Sequence, residues 1–323
     1  MTLLRRPFLA AALLAPVAAR AQGAWTPTRP IRLVVPFAAG GSTDVAARIV
    51  AERMAETLGQ PVVVENRTGS SGFIGTDNVV RSPADGYSVV MAVTGTTTIA
   101  PHLYANMPFN PQRDLTPVSL AFASDLVISV TNSHPARTLA DLVGAAKARP
   151  DALSYASSGA GTTTHVATEL FRLAAGIEML HVPYRGTGQA MNDMVAGNVH
   201  VMVDQISGSI GQIRDGRVRA LAVTGAARHA LLPDVPTVAE AGLPAAQCTS
   251  WGGIMMPANA PAPIVARLNA AVREATLHAP VRSRMAAAGA DPANSTPEEF
   301  AAFIASETEK WGRVVREARI TVS

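Results

Sequence analysis

The sequence holds a single cysteine, Cys248, so no internal disulfide can form and a metal site built on thiolates is excluded. Cys248 itself reads as a small buried hydrophobe. The seven histidines form no H-x-x-x-H pair and no paired histidine–carboxylate spacing, so no metal site is expected. Beyond the N-terminal leader no apolar run is long enough to span a bilayer. A basic excess is also lacking once that leader is set aside. Arg5 and Arg6 precede an apolar run from Phe8 to Ala19, and Ala19-Arg20-Ala21 follows, the order of an export signal cleaved after Ala21. Arg5-Arg6-Pro7-Phe8-Leu9 also resembles a twin-arginine signal, so either that route or general secretion would carry the chain out of the cytoplasm. Three of the 27 Lys and Arg lie in this segment, which has no acid, and the mature chain balances at 24 against 24. Neither nucleic acid nor an anionic membrane is an expected partner.

What is present is strand, glycine turn and helix, repeated. Ile31 to Val35 is apolar and largely β-branched and predicts a buried strand stopped by Pro36. Gly40 and Gly41 allow a tight turn and bring bare backbone close to a ligand. Ser42 or Thr43 would cap the following helix. Ala46, Val50, Met54 and Leu58 give it one apolar face, and Gly59 ends it. Such a turn aims free N–H groups and the positive end of a helix dipole at one spot, which suits an anion. An ordinary βα turn would have the same pattern.

The pattern recurs. Pro61 to Glu65 predicts a second strand, and a G-x-x-G-x-x-G loop, Gly69 to Gly75, leads to a helix from about Thr76. Its spacing and position are not those of a dinucleotide site. Ser88 to Val93 predicts a strand opening into the hydroxyl-rich loop Thr94-Gly95-Thr96-Thr97-Thr98. Further strands are expected at Leu126 to Thr131, Ser154 to Ser157, Met179 to Pro183, Val199 to Val203 with Asp204 at its end, Ala220 to Thr224 and Trp251 to Met256. Ser158-Gly159-Ala160-Gly161-Thr162-Thr163-Thr164 and Tyr184-Arg185-Gly186-Thr187-Gly188 are again glycine and hydroxyl turns before helices. Thr138-x-x-Asp141 and Thr296-Pro297-x-Glu299 are helix-start signals. Phe300, Phe303, Ile304 and Trp311 on the last helix read as packing.

Turns of this kind gather at the carboxyl ends of strands in open α/β sheets, where ligands bind. The mature chain is long enough for two domains, and two groups of βα units suggest two lobes with a cleft between them.

Several blocks are very similar to the Bug family, the extracytoplasmic receptors of tripartite tricarboxylate transporters. They are Pro36 to Asp44, Gly59 to Arg67, Asp85-Gly86-Tyr87, His181 to Gly186, Arg219 to Thr224 and Leu232 to Gly242. The resemblance runs in order over nearly the whole mature chain. It implies a type II periplasmic-binding-protein fold: α/β, two lobes closing on a small carboxylate. The expected division is 22–122 with 228–323 in one lobe and 123–227 in the other.

The resemblance carries ligand contact onto Phe37, Gly40, Gly41, Ser42, Thr43 and Asp44, onto Ser158, Thr162 and Thr163, and onto Thr96 and Thr97. Asp204 matches the family's acid at the end of a second-lobe strand. Two departures concern the ligand's far end: Ala38-Ala39 replaces a usual Pro-containing pair, and Thr97 sits where His is frequent. None of the glycine and threonine turns at 40–44, 94–98 and 158–164 contains Lys or Arg. The grip would therefore come from N–H dipoles and hydroxyls, each charge-assisted hydrogen bond worth roughly 1.5–3 kcal/mol. Arg185 is the one nearby cation, as a ligand contact or as part of a loop ion pair. Asp204 would hold waters or loop N–H groups, or pair with a ligand amine. Asp44 reads as a dipole-pairing cap.

The expected ligand is a di- or tricarboxylate, an acidic amino acid or an aromatic acid, bound without cofactor or chemistry by a monomer. Permease subunits of a tripartite transporter would receive it; a membrane sensor kinase is the alternative partner. A secreted hydrolase is the remote alternative. Ser157-Ser158-Gly159 is no G-x-S-x-G elbow, although His165 or His181 could mimic a base.

Overall fold

A computed structural model describes residues 25–150 and 152–322. The export signal expected at 1–21 lies outside them. Apolar β-branched runs give the first parallel strands: β1 (Ile31–Val35) lies between β2 (Val62–Asn66) and β3 (Ser88–Val93). Helices α1 (Ser42–Leu58) and α2 (Phe73–Val80) connect them. The apolar face of α1, with Ala46, Val50, Met54 and Leu58 buried, packs in the first core with Ile31, Leu33 and Val35. Gly59 closes α1 in the left-handed conformation at φ 69°. The N-cap is Gly41, with no side-chain capping bond, so neither Ser42 nor Thr43 caps α1. Their side chains are left to face elsewhere. Helix α2 starts at Phe73, three residues earlier than Thr76.

A short helix, α3 (Pro111–Asp114), precedes β4 (Leu115–Thr131), a strand of 17 residues. Sequence periodicity predicts only its second half. Pro117 and Asp125 interrupt the apolar pattern of the first half, where register shifts also occur. From Leu115 to Asp125, β4 pairs antiparallel with β9 (Thr249–Pro257), which in turn pairs with β3. From Leu126 onward it pairs instead with β7 (Val201–Gln205) and β8 (Val218–Val223). The same strand thus belongs to both halves of the molecule.

The second half repeats the parallel plan. β5 (Ser154–Ser157) lies parallel to β6 (Leu180–Pro183) and β7. The helices are α4 (Leu139–Ala148), α5 (Thr163–Ala175), α6 (Thr187–Ala196) and α7 (Ile206–Arg214). Thr138 and Asp141 form the capping box expected of T-x-x-D. The second core joins Leu126, Ile128, Tyr155, Phe171 and Val201, and Val238, Ala246 and Cys248 pack into it. The chain returns along β9 to α8 (Ala262–Leu277), α9 (Ala279–Ala287), β10 (Asp291–Pro292) and α10 (Pro297–Glu317). Thr296 and Glu299 close the capping box of α10. Phe300 and Ile304 of α10 enter the core with Trp251, and Trp311 enters the second core. The result is an α/β arrangement in two lobes, that of the expected type II fold, with β4 running through both.

Candidate functional site

The glycine and threonine turns do converge. A cavity of about 380 Å³ lies where the loops after β1, β3, β5 and β6 meet over β4 and β9. Phe37, Gly41, Ser42, Thr43, Thr96, Ser158, Thr162 and Thr163 line it, all named from the sequence. The loops of the two lobes touch: a Cβ on Gly95 would lie 3.5 Å from Thr163 Oγ1. No charged side chain lines the cavity among the described residues.

The other residues named from the sequence stand elsewhere. Asp44 is buried behind the first loop, not on the wall. Its Oδ2 accepts from Gly40 N–H at 2.9 Å and from Arg48 Nε at 3.0 Å, and its Oδ1 accepts from Asn66 Nδ2 at 2.8 Å. Asn66 Nδ2 also donates to Phe37 O at 3.0 Å. Burial opposes the Asp44 charge, but the bonds from Arg48, Gly40 and Asn66 outweigh it and hold the pKa below the ordinary value. Gly40 supplies the turn, at φ 80°, which lets its N–H reach back to Asp44.

Thr97 is buried within a wide helical turn, Gly95–Ile99, where a plain loop was expected, and lies off the cavity. Arg185 is exposed and off the cavity, with neither a ligand-facing position nor a loop ion pair among the described residues; its neighbour Gly186 lines the wall. Asp204 is buried, 1% exposed, between the lining residues Thr187 and Gln205 but not itself on the surface. Burial pushes its pKa up to about 7, eased by the Gln205 N–H and the Ser209 and Thr187 hydroxyls.

The second loop is braced without charge. Thr164 Oγ1 accepts from Ser158 N–H at 2.9 Å, and Thr162 Oγ1 donates to Gly159 O at 2.7 Å. Gly161 N–H donates to His165 Nδ1 at 3.0 Å. The His165 and His181 rings stack with centroids 3.9 Å apart, and Tyr155 stacks on His181 at 4.8 Å. Burial pushes His165 down to about 3, and the neighbouring His181 adds to the effect. His181 is also lowered by burial. Ser157 Oγ and His181 Nε2 are 2.7 Å apart, a nucleophile-and-base distance, but Ser157 is fully buried and absent from the wall. The pair holds the loop's base and cannot meet a substrate.

The floor was not legible as motif. Phe122 and Ser124 of β4 and Ser250 and Trp251 of β9 form it, with Gln205 and Thr187 beside them. Ser71 reaches the wall with φ 55°, a conformation that non-glycine residues rarely take and that marks functional loops. Of these, Thr187, in the third glycine turn, and Ser71, in the G-x-x-G-x-x-G loop, carried a sequence signal.

The profile of the tripartite tricarboxylate transporter family receptor matches residues 46–320. Protein BugT of Bordetella pertussis is 37% identical over 292 residues, spanning 90% of each chain. A solved structure from R. palustris with adipate is 36% identical with a TM-score of 0.83, covering 91% of this chain and 99% of that one. MatC of Rhodopseudomonas palustris with bound malate is 34% identical at a TM-score of 0.78, covering 90% and 99%.

Proposed function

The chain belongs to the tripartite tricarboxylate transporter receptor family, and from that premise we propose that it captures a small carboxylate reversibly for a membrane permease. It is a periplasmic solute-binding receptor of the Bug type, not an enzyme. The observation that carries the ligand class is the cavity wall. N-termini of α1 and α5, with Ser42, Thr43, Thr162 and Thr163, approach one space from opposite lobes, and among the described residues no lysine or arginine joins them. Helix N-termini and hydroxyls stabilise an anion without fixing it as a buried cation would. That suits a receptor that must release what it holds. The adipate and malate bound by the two solved relatives agree with this chemistry.

Residues 1–21 would be removed on export, by either the general or the twin-arginine route. The lobes would meet at Asp125 of β4 and Thr249 of β9, where hydrogen-bonding partners change, and not at 122/123 and 227/228. Segment 232–248, whose Val238, Ala246 and Cys248 share the second core, then moves to the second lobe. Titration calorimetry on the mature protein against dicarboxylates, tricarboxylates, acidic amino acids and aromatic acids tests the reading. Saturable heat from at least one class is expected. No binding by any of them, with turnover of an ester or amide, would sink it.

A further inference from the structure

The loop from Gly69 to Gly75 is no dinucleotide site, but it is built into the cleft. Two of its glycines have no room for a side chain. A Cβ on Gly72 would lie 2.8 Å from Thr96 Cγ2 and 3.3 Å from Phe37 Cζ. A Cβ on Gly75 would lie 2.5 Å from Arg67 O and 3.0 Å from Pro36 Cα. The loop is thus pressed into the seam between the loops after β1 and β3, and Phe37 and Thr96 both line the cavity. Gly72 N–H donates to Gly69 O at 2.9 Å, and Thr76 Oγ1 donates to Gly72 O at 3.0 Å, which fixes the turn from within.

Between these glycines stands Ser71. Its φ of 55° lies in the left-handed region, where a glycine is at ease and a serine is strained. No hydrogen bond of the side chain offsets that strain. Ser71 is exposed on the cavity wall, and its hydroxyl has no partner among the described residues. A second free hydroxyl stands on the same wall. The Tyr104 ring rests edge-on against Phe73, centroids 5.0 Å apart, two residues beyond Ser71. Tyr104 lines the cavity, and its hydroxyl also lacks a partner among the described residues. It reaches toward the opposite lobe, since a Cβ on the lining residue Gly161 would lie 3.8 Å from Tyr104 Oη.

Resting on the reading of the cleft as a carboxylate receptor, we propose that Ser71 and Tyr104 form a second polar subsite, which selects ligands carrying an oxygen function on the body beyond the anchored carboxylate. A hydroxyl can donate to or accept from a ligand hydroxyl and can donate to a carbonyl or a second carboxylate, and it needs no counter-charge. Val93, Ala100 and Phe122 make the neighbouring wall apolar, so a ligand oxygen that misses the subsite loses its water without a replacement. The backbone at Ser71 is the signature of this role. Glycine would suit the conformation better; serine adds the hydroxyl, and strained residues of this kind gather at ligand clamps.

The test is calorimetry on the mature protein with two series: hexanoate, 6-hydroxyhexanoate and adipate, then benzoate, 4-hydroxybenzoate and terephthalate. In the parent, an oxygen-bearing acid is expected to bind at least about five-fold more tightly than the bare acid of its series, the contribution of one hydrogen bond. The hydroxy acid and the diacid distinguish the two sources of that oxygen. In Ser71→Gly and in Tyr104→Phe the advantage should fall to about two-fold or less. Ser71→Gly should also melt no lower than the parent, because the backbone strain leaves with the hydroxyl. A lower melting temperature with the advantage intact would make Ser71 a structural brace and overturns the inference. So does a bare acid that binds the parent as tightly as its oxygen-bearing partners. Both would leave the carboxylate reading standing. Failure of every acid to bind sinks that reading instead. If Tyr104→Phe does not fold, Ser71→Gly alone decides.

Discussion

The loop after β1 and the loop after β5 face each other across the cleft and present the same kind of donor, yet they are held from behind in opposite ways. Asp44, Arg48 and Asn66 brace the first through a carboxylate and a half-exposed guanidinium. Thr162, Thr164, Ser157 and the His165–His181 stack brace the second with hydroxyls and neutral imidazoles. The lesson is that charge in this protein stabilises a loop, while the surface offered to the ligand stays neutral. Asp44 fixes where the Gly40 N–H points, and nothing on the ligand's side needs to match that charge.

The sharpest way to break this comparison is to fill the first loop. Gly41 has an ordinary φ of −73°, and a Cβ there would meet only Ala38 O, at 3.4 Å. Gly41→Val should therefore fold, while its side chain takes the ligand's space. Calorimetry is expected to show a loss of about a hundred-fold or more, near 2.8 kcal/mol. Unchanged affinity would mean that the ligand does not approach the first loop.

Removing each brace comes next. Asp44→Ala strands the Gly40 N–H, the Asn66 amide and Arg48, and should cost about 2–3 kcal/mol in urea unfolding as well as affinity. Thr164→Val removes an uncharged acceptor from Ser158 N–H and should cost less, about 1–2 kcal/mol. Equal costs would erase the distinction between the two supports.

Acid separates them with the smallest effect. His165 and His181 have pKa values below the ordinary 6.5, so the unfolded chain takes up their protons first. Their contribution is complete above pH 6.5 and is lost as pH falls from there toward the lowered His165 value of about 3. Asp44, whose pKa is lowered from 3.8, keeps its contribution until the pH drops below that region. The histidine part of the acid response between pH 6.5 and 4.5, a fall in melting temperature set against the opposing rise from the raised Asp204 and Asp125, should thus be the same in the parent and in Asp44→Asn. A decline abolished by Asp44→Asn would assign the acid sensitivity to the wrong loop.

Much of this arrangement was readable from residue order. The strand, glycine, hydroxyl and helix pattern put eight of the named residues on the cavity wall, because backbone period and turn chemistry are local properties. What escaped was non-local. The first half of β4 reads poorly because Pro117 and Asp125 break its apolar run, and only pairing with β9 makes it a strand. Phe122, Ser124, Ser250 and Trp251 became floor residues through that pairing, which no motif records. Asp44 was placed near the ligand by its position in the chain. Its hydrogen bonds to Gly40, Arg48 and Asn66 turn it the other way. The wide turn at Gly95–Ile99 likewise moves Thr97 off the wall while leaving Thr96 on it.

Trp251 stands on the cavity floor, whereas Trp311 is sealed in the second core. The protein thus contains its own optical reporter and its own reference. An occupant resting on that floor alters the surroundings of one indole and leaves Trp311, and Trp25 against Tyr87, alone. Intrinsic fluorescence can then follow loading and unloading in real time, with no dye attached to a loop whose shape is the quantity of interest.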